Sequence, residues 1–178
     1  QTTTEEASPK EYAAVAPSTV VSSSLAYNSG AAGSFKPVDD SSASKEKFTY
    51  STNVFTVTFD PVGASVSSIK LNKHLDNGQP AELLFNEGDR NAFLMYAGRD
   101  TSTPIDATFQ AKVDGNKVVF SQHFISEGSN NHLTITEIYT FGPDEYLFSI
   151  NVDIQNSINS VLPLSFENEA YTLAFEPQ

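Results

Sequence analysis

The sequence predicts an all-β fold, an antiparallel β-sandwich preceded by a flexible linker. Three observations carry that expectation. Apolar residues recur at a period of two in block after block. Turn signals built from Gly, Pro, Asn and Asp separate the blocks, and no stretch long enough for a stable helix carries a helical apolar period. Roughly ten strands at short spacing favour two packed antiparallel sheets over an α/β arrangement. No sequence repeat of fixed period is visible, which argues against propellers and solenoids.

Residues 1–47 are rich in Ser, Thr, Ala and Pro and carry three aromatics, Tyr12, Tyr27 and Phe35. So little apolar surface cannot offset the backbone entropy lost on ordering, so the segment is expected to be a flexible tether. A helical turn at Glu11–Val15 and a short strand at Thr19–Ser24 would be transient there. The chain opens on Gln1 and not on Met, which is read as a signal sequence or membrane anchor removed upstream. No apolar run is long enough to cross a bilayer.

The folded part is expected over residues 48–178, organised around Asn53–Leu71. Phe55, Val57 and Phe59 alternate with Val54, Thr56 and Thr58, the mark of a half-buried strand. Asp60-Pro61-Val62-Gly63 supplies turn chemistry, and Ala64–Leu71 follows as a second strand. Its apolar parity changes from Val66 to Ile69 and Leu71, which predicts a β-bulge at Ser67 and Ser68. Ala81–Phe85 and Ala92–Ala97 are expected as short strands flanked by Asp76-Asn77-Gly78 and Glu87-Gly88-Asp89. Asp106–Val113 and Lys117–Phe124 flank Asp114-Gly115-Asn116, a hairpin signal.

Leu133, Ile135, Tyr139 and Phe141 share one parity, interrupted by Glu137. The cleanest alternation is Tyr146, Phe148, Ile150, Val152 and Ile154, expected as a core row with a wet opposite face. Leu162, Leu164 and Phe166 form another block, and Tyr171, Leu173 and Phe175 the last.

Charge and chemistry narrow the function. The formal charge is −12, with sixteen of the 22 acids in residues 48–178. Such a domain repels phosphate backbones and anionic membrane surfaces, so no nucleic-acid partner is expected. Cysteine is absent, which removes disulfides, thiolate metal sites and a Cys nucleophile together. His74, His123 and His132 lie far apart, none at ligand spacing, so no metal is expected. Glu167 and Glu169 could share a strand face but read as a solvated edge. No Gly-x-Ser-x-Gly elbow, dinucleotide fingerprint or phosphate loop is present. No catalytic residue and no cofactor are assigned. A carbohydrate-binding or epimerase-like sandwich is the alternative, hinted at by Tyr96 near Arg99 and Asp100 but weakened by the lack of Trp. A surface or adhesion module is a further alternative.

A family resemblance adds to this. Phe55–Phe59, Gly63-Ala64 and Ser68-Ile69-Lys70-Leu71 are followed in order by Pro80-Ala81-Glu82-Leu83-Leu84. Tyr139-Thr140-Phe141 with Glu145-Tyr146-Leu147-Phe148 comes next, and Leu162-Pro163-Leu164 with Ala170-Tyr171-Thr172-Leu173 and Pro177 completes the set. The ordered set resembles the large periplasmic domain of bacterial YidC membrane protein insertases. The resemblance implies a β-supersandwich similar to galactose mutarotase, held at the periplasmic face of the bacterial inner membrane by segments not in this sequence. It implies a noncatalytic role in membrane protein insertion and folding. Its implied partners are accessory subunits of the Sec translocon and, through the whole insertase, nascent membrane proteins. The family's domain is longer in many bacteria, which implies that Gln178 falls inside the fold. On that reading the strand at the chain end, Ala170–Phe175, is an open edge, and Tyr171, Thr172, Leu173 and Ala174 are the expected partner-binding residues.

Overall fold

The computed structural model describes residues 35–84, 91–97, 104–126, 132–157 and 171–175. Eleven strands are ordered along these residues, with no helix among them. They are β1 (Phe35–Pro37), β2 (Phe48–Ser51), β3 (Phe55–Asp60), β4 (Ser65–Asp76), β5 (Gln79–Glu82) and β6 (Leu94–Ala97). β7 (Gln110–Asp114), β8 (Lys117–Ser126), β9 (His132–Phe141), β10 (Phe148–Asn156) and β11 (Tyr171–Ala174) follow. The expected block at Leu162, Leu164 and Phe166, the turn at Glu87-Gly88-Asp89, and Arg99, Asp100, Glu167 and Glu169 lie outside the described residues.

Two antiparallel sheets pack face to face, as the alternation of β3, β9 and β10 requires. One sheet runs β2-β3-β4-β5, and the other runs β8-β9-β10 with β1 and β7 both on the far side of β8. Phe59 is the hub between them. Its ring lies 4.9 Å from Tyr139, 5.5 Å from Phe120 and 6.3 Å from Phe141, all on the facing sheet. Phe55, Val57 and Phe59 are buried while Thr56 and Thr58 are half-buried, as the period-two reading of β3 predicts.

The bulge sits where the parity change put it. Pairing passes from Thr58↔Ser68 to Phe59↔Val66, so two residues of β4 span one of β3 around Ser67. Strand β4 itself begins at Ser65 and not at Ala64. Gly63 and Ala64 both take positive φ, at 71° and 50°, and extend the turn by one residue. A Cβ on Gly63 would press into Leu94 Cδ1 and come within 3.2 Å of the Ile105 carbonyl oxygen. Asn77 and Gly78, both at positive φ, close the β4–β5 hairpin, as that dipeptide favours. The strands flanking Asp114-Gly115-Asn116 also pair, Asp114↔Lys117 to Gln110↔Ser121.

Two expectations change with the packing. Glu137 does not interrupt the inward row of β9 but continues it, fully buried between Ile135 and Tyr139. Strand β10 presents the expected parity, yet Phe148, Ile150, Val152 and Ile154 are only half-buried. The reason is position: β10 pairs with β9 on one side and has no strand on the other among the described residues. Tyr146 lies before the strand and is 44% exposed, although its ring meets those of Phe55 and His74.

Of the segment expected as a tether, residues 35–47 are described. Phe35–Pro37 pairs with Phe124–Ser126 of β8, and the Val38 amide donates to the His123 carbonyl at 2.8 Å. Strands β7 and β1 thus lie end to end along one edge of β8. The chain then crosses to the other sheet. On the way, Asp40 accepts from the Ser42 hydroxyl at 2.6 Å, from the Ser42 amide at 2.8 Å and from the Gln110 side chain. The Ser42 hydroxyl, then its amide, hold the Asp40 carboxyl below its usual range.

Candidate partner-binding surface

Tyr171, Thr172, Leu173 and Ala174 form one strand, β11, which pairs with β6 in a separate two-stranded sheet. The register is Tyr171↔Ala97, Thr172↔Tyr96, Leu173↔Met95 and Ala174↔Leu94. Leu173 packs against the core and the same strand parity places Tyr171 beside it, 37% exposed. Phe175 follows at 44% exposure. The four expected residues form one strand, with the aromatic Tyr171 at its exposed end.

Phe93 joins this small sheet to the sandwich. It holds positive φ at 58°, costly for a residue with a Cβ, and its ring lies 5.0 Å from Phe175, 5.7 Å from Phe148 and 6.4 Å from Tyr139. Ring packing on three sides is what holds that conformation. The Ile105 amide donates to the Met95 carbonyl at 2.8 Å, so β6 is flanked by chain on both sides. Tyr96 is buried, and its distance from solvent removes it as a sugar-stacking platform.

The Asp60 turn is the best-built polar feature. Asp60 Oδ1 accepts from the Val62 amide at 3.0 Å, its Oδ2 accepts from Asn91 Nδ2 at 3.0 Å, and Lys47 Nζ lies 3.3 Å away. Asn91 also donates to Ser65 Oγ at 2.9 Å, and the Tyr139 hydroxyl donates to the Ala64 carbonyl at 3.0 Å. These bonds explain why Gly63-Ala64 and Ser65 stand where they do, and they make the turn structural. Glu82 plays a similar part at β5, accepting from the Ile69 amide at 2.7 Å, the Leu84 amide at 3.1 Å and the Ser68 hydroxyl.

Among the described residues the histidines stand apart from one another. His74 packs on Tyr146 with ring centres 5.3 Å apart, His123 Nδ1 is 2.9 Å from Thr134 Oγ1, and His132 is exposed at the start of β9. Among the described residues no three of His, Asp and Glu approach one another as a metal set. The outlier is Glu137. Burial pushes its carboxyl up to about 8, opposed in part by the neighbouring Tyr139 hydroxyl. That hydroxyl is committed to Ala64, and neither Glu137 oxygen has a hydrogen-bond partner. Burial, then Glu137, also raises the Tyr139 hydroxyl well above its usual range. The strict parity of β9 was the sequence signal for this inward carboxyl, and the assumption that acids face water hid it.

Comparison with known proteins follows the same outline. The family model of the YidC periplasmic domain matches residues 47–171. A YidC membrane protein insertase of Treponema denticola is 29% identical over 145 residues, covering 75% of this chain and 25% of the relative. One of Chlorobaculum tepidum is 26% identical over 166 residues, covering 88% of this chain and 28% of the relative. A third, from Chlorobium phaeovibrioides, is 24% identical over 134 residues and 20% of its length. The chain thus spans about a quarter of the length of the curated relatives it matches. No solved structure gives a significant match.

Proposed function

Because the chain belongs to the YidC periplasmic domain family, we propose that it is a noncatalytic periplasmic domain that makes partner contacts for a membrane protein insertase. The observation that carries this reading is the match over residues 47–171, which takes in β2 to β10 and the first residue of β11. On this reading the domain stands on the periplasmic face of the inner membrane and engages Sec translocon accessory subunits. Nascent membrane proteins are met by the whole insertase. The contact surface is β11, with Tyr171 and Leu173 on one side of the strand, Thr172 and Ala174 on the other, and Phe175 exposed just after it.

The test is photo-crosslinking from Thr172 and Ala174 in the full-length protein in its membrane. Capture of Sec accessory subunits from these positions, and not from Asp114 at the opposite hairpin, is the expected result. No capture from β11, combined with specific binding of a defined sugar by the domain, would replace this reading with a carbohydrate module.

A further inference from the structure

We propose that the groove between the β7–β8 hairpin and the turn at 142–147 is a docking site for a lysine or arginine side chain of a partner protein, with the Glu145 carboxylate as its anchor. The inference does not rest on the role assigned to β11. It starts from how the groove is built. The Asn116 side chain donates to the Phe141 carbonyl at 2.9 Å and the Phe141 amide donates to the Asn116 carbonyl at 3.0 Å, so the hairpin tip is fastened to the end of β9. The turn is tied in its own right to the other sheet. The Asn53 amide donates to the Pro143 carbonyl at 3.1 Å, Asn53 Nδ2 donates to Asp144 Oδ1 at 2.9 Å, and the Tyr146 ring meets those of Phe55 and His74. Beside these attachments lies a cavity of about 450 Å³, lined by Phe141, Leu147 and Phe148 together with Thr140, Ser149 and Glu145.

Two features single out Glu145. Gly142 is not among the glycines at positive φ, so no backbone conformation requires a glycine there. A Cβ on Gly142 would instead come within 2.7 Å of Glu145 Cδ and Oε2. The bare backbone is what lets the carboxylate fold back onto the turn. The second feature is charge. Asp144 has Lys73 at 3.7 Å, and Asp114 stands opposite Lys117 in the hairpin register. Glu145 has no ion pair and no hydrogen bond among the described residues.

The occupant follows from what surrounds that carboxylate. Leu147, at 79%, is the most exposed large hydrophobic side chain of the described residues, and Phe148 is half-buried. A long cationic side chain matches both needs, because its methylene stem covers apolar surface while its charged head meets the carboxylate. Residues 48–178 carry sixteen acids against six bases, a field that draws in a cationic partner and repels an acidic one or a second copy of this chain. A wholly apolar occupant would strip water from Glu145 and leave it unpaired.

The test is an NMR titration of the full chain with three acetylated, amidated tripeptides: Leu-Lys-Leu, Leu-norleucine-Leu and Leu-Glu-Leu. The lysine peptide should bind with a dissociation constant of about 1 mM and shift the amides of Asn116, Thr140, Gly142 and Glu145. Glu145→Gln should weaken it about fivefold, as loss of a single exposed ion pair does. Glu145 is exposed, so the fold should be unaffected, with the amides of β3 unmoved. Gly142→Ala should displace the carboxylate and weaken binding to a similar extent. Equal binding of the norleucine peptide would make the groove a plain apolar one. That outcome, equal binding of the glutamate peptide, no shifts with the lysine peptide, or indifference to Glu145→Gln each overturns the inference.

Discussion

Replacing Glu137 by Gln should remove a pH dependence that the wild-type fold cannot escape. The carboxyl is fully buried on the core face of β9, its two oxygens lack partners, and burial raises it from 4.5 to about 8. In the unfolded chain the group ionises near its ordinary value, while the folded protein keeps the proton. Between pH 4.5 and about 8 the folded state thus binds more protons than the unfolded one, and stability must fall as pH rises. The slope approaches about 1.4 kcal/mol per pH unit, and the full window is worth about 5 kcal/mol. That is comparable with the total stability of many domains. Above the folded-state value both states are ionised and the loss levels off. Phe120, its cross-strand partner on β8, and Ile135 and Tyr139 beside it in the inward row of β9 offer no charge to offset it, and Tyr139 stays neutral throughout because its own ionisation is pushed up. Urea unfolding of wild type and Glu137→Gln at intervals from pH 4.5 to 9 measures the effect. All other groups are common to both proteins and drop out of the difference. The wild type should lose stability relative to Gln across the window and then run parallel. Curves parallel throughout would refute the reasoning, because they would mean that the carboxyl finds water or a partner in the folded state. Glu137→Leu sharpens the case: at pH 7 it should be more stable than wild type by about 3 kcal/mol, since it removes an acid that the unfolded chain can ionise and the folded chain cannot.

Four further outcomes are expected. Phe59→Ala should cost about 3 to 5 kcal/mol by denaturant titration, since the hub ring is fully buried. Phe148→Ala should cost clearly less, and the exposed Ser149→Ala less than about 0.5 kcal/mol, with equal costs for the two phenylalanines contradicting the edge position of β10. Gly63→Ala should destabilise the fold by about 1 to 3 kcal/mol, read as a lower thermal midpoint, through positive φ and contact with Leu94 and the Ile105 carbonyl; a neutral result would mean that the turn relaxes freely. Deleting residues 1–37 should speed amide exchange along Gln122–Ser126 by removing β1, and unchanged exchange there would contradict that pairing.

Local chemistry in the sequence determined most of the strands and turns. The alternation of β3, the parity change at Ser67, Asn77-Gly78 and Asp114-Gly115 each encode their geometry within a few residues, because strand period and turn φ are properties of adjacent positions. The inward row of β9 and the apolar row of β10 were legible for the same reason. Rank within the sheet was not. Phe148 and Phe59 look equally apolar in sequence, but one sits on a margin strand and the other faces three rings across the sandwich. The docking of Phe35–Pro37 on β8 likewise depends on an edge supplied by residues about ninety positions away, which no composition of the tether reveals. Glu137 joins both kinds: its parity was fixed locally, while the absence of any partner for its carboxyl was decided when the aromatic core closed over it. Burial and pairing order arise from contacts distant in sequence, so the chain determined what each strand offers and the packing decided which offers were taken up.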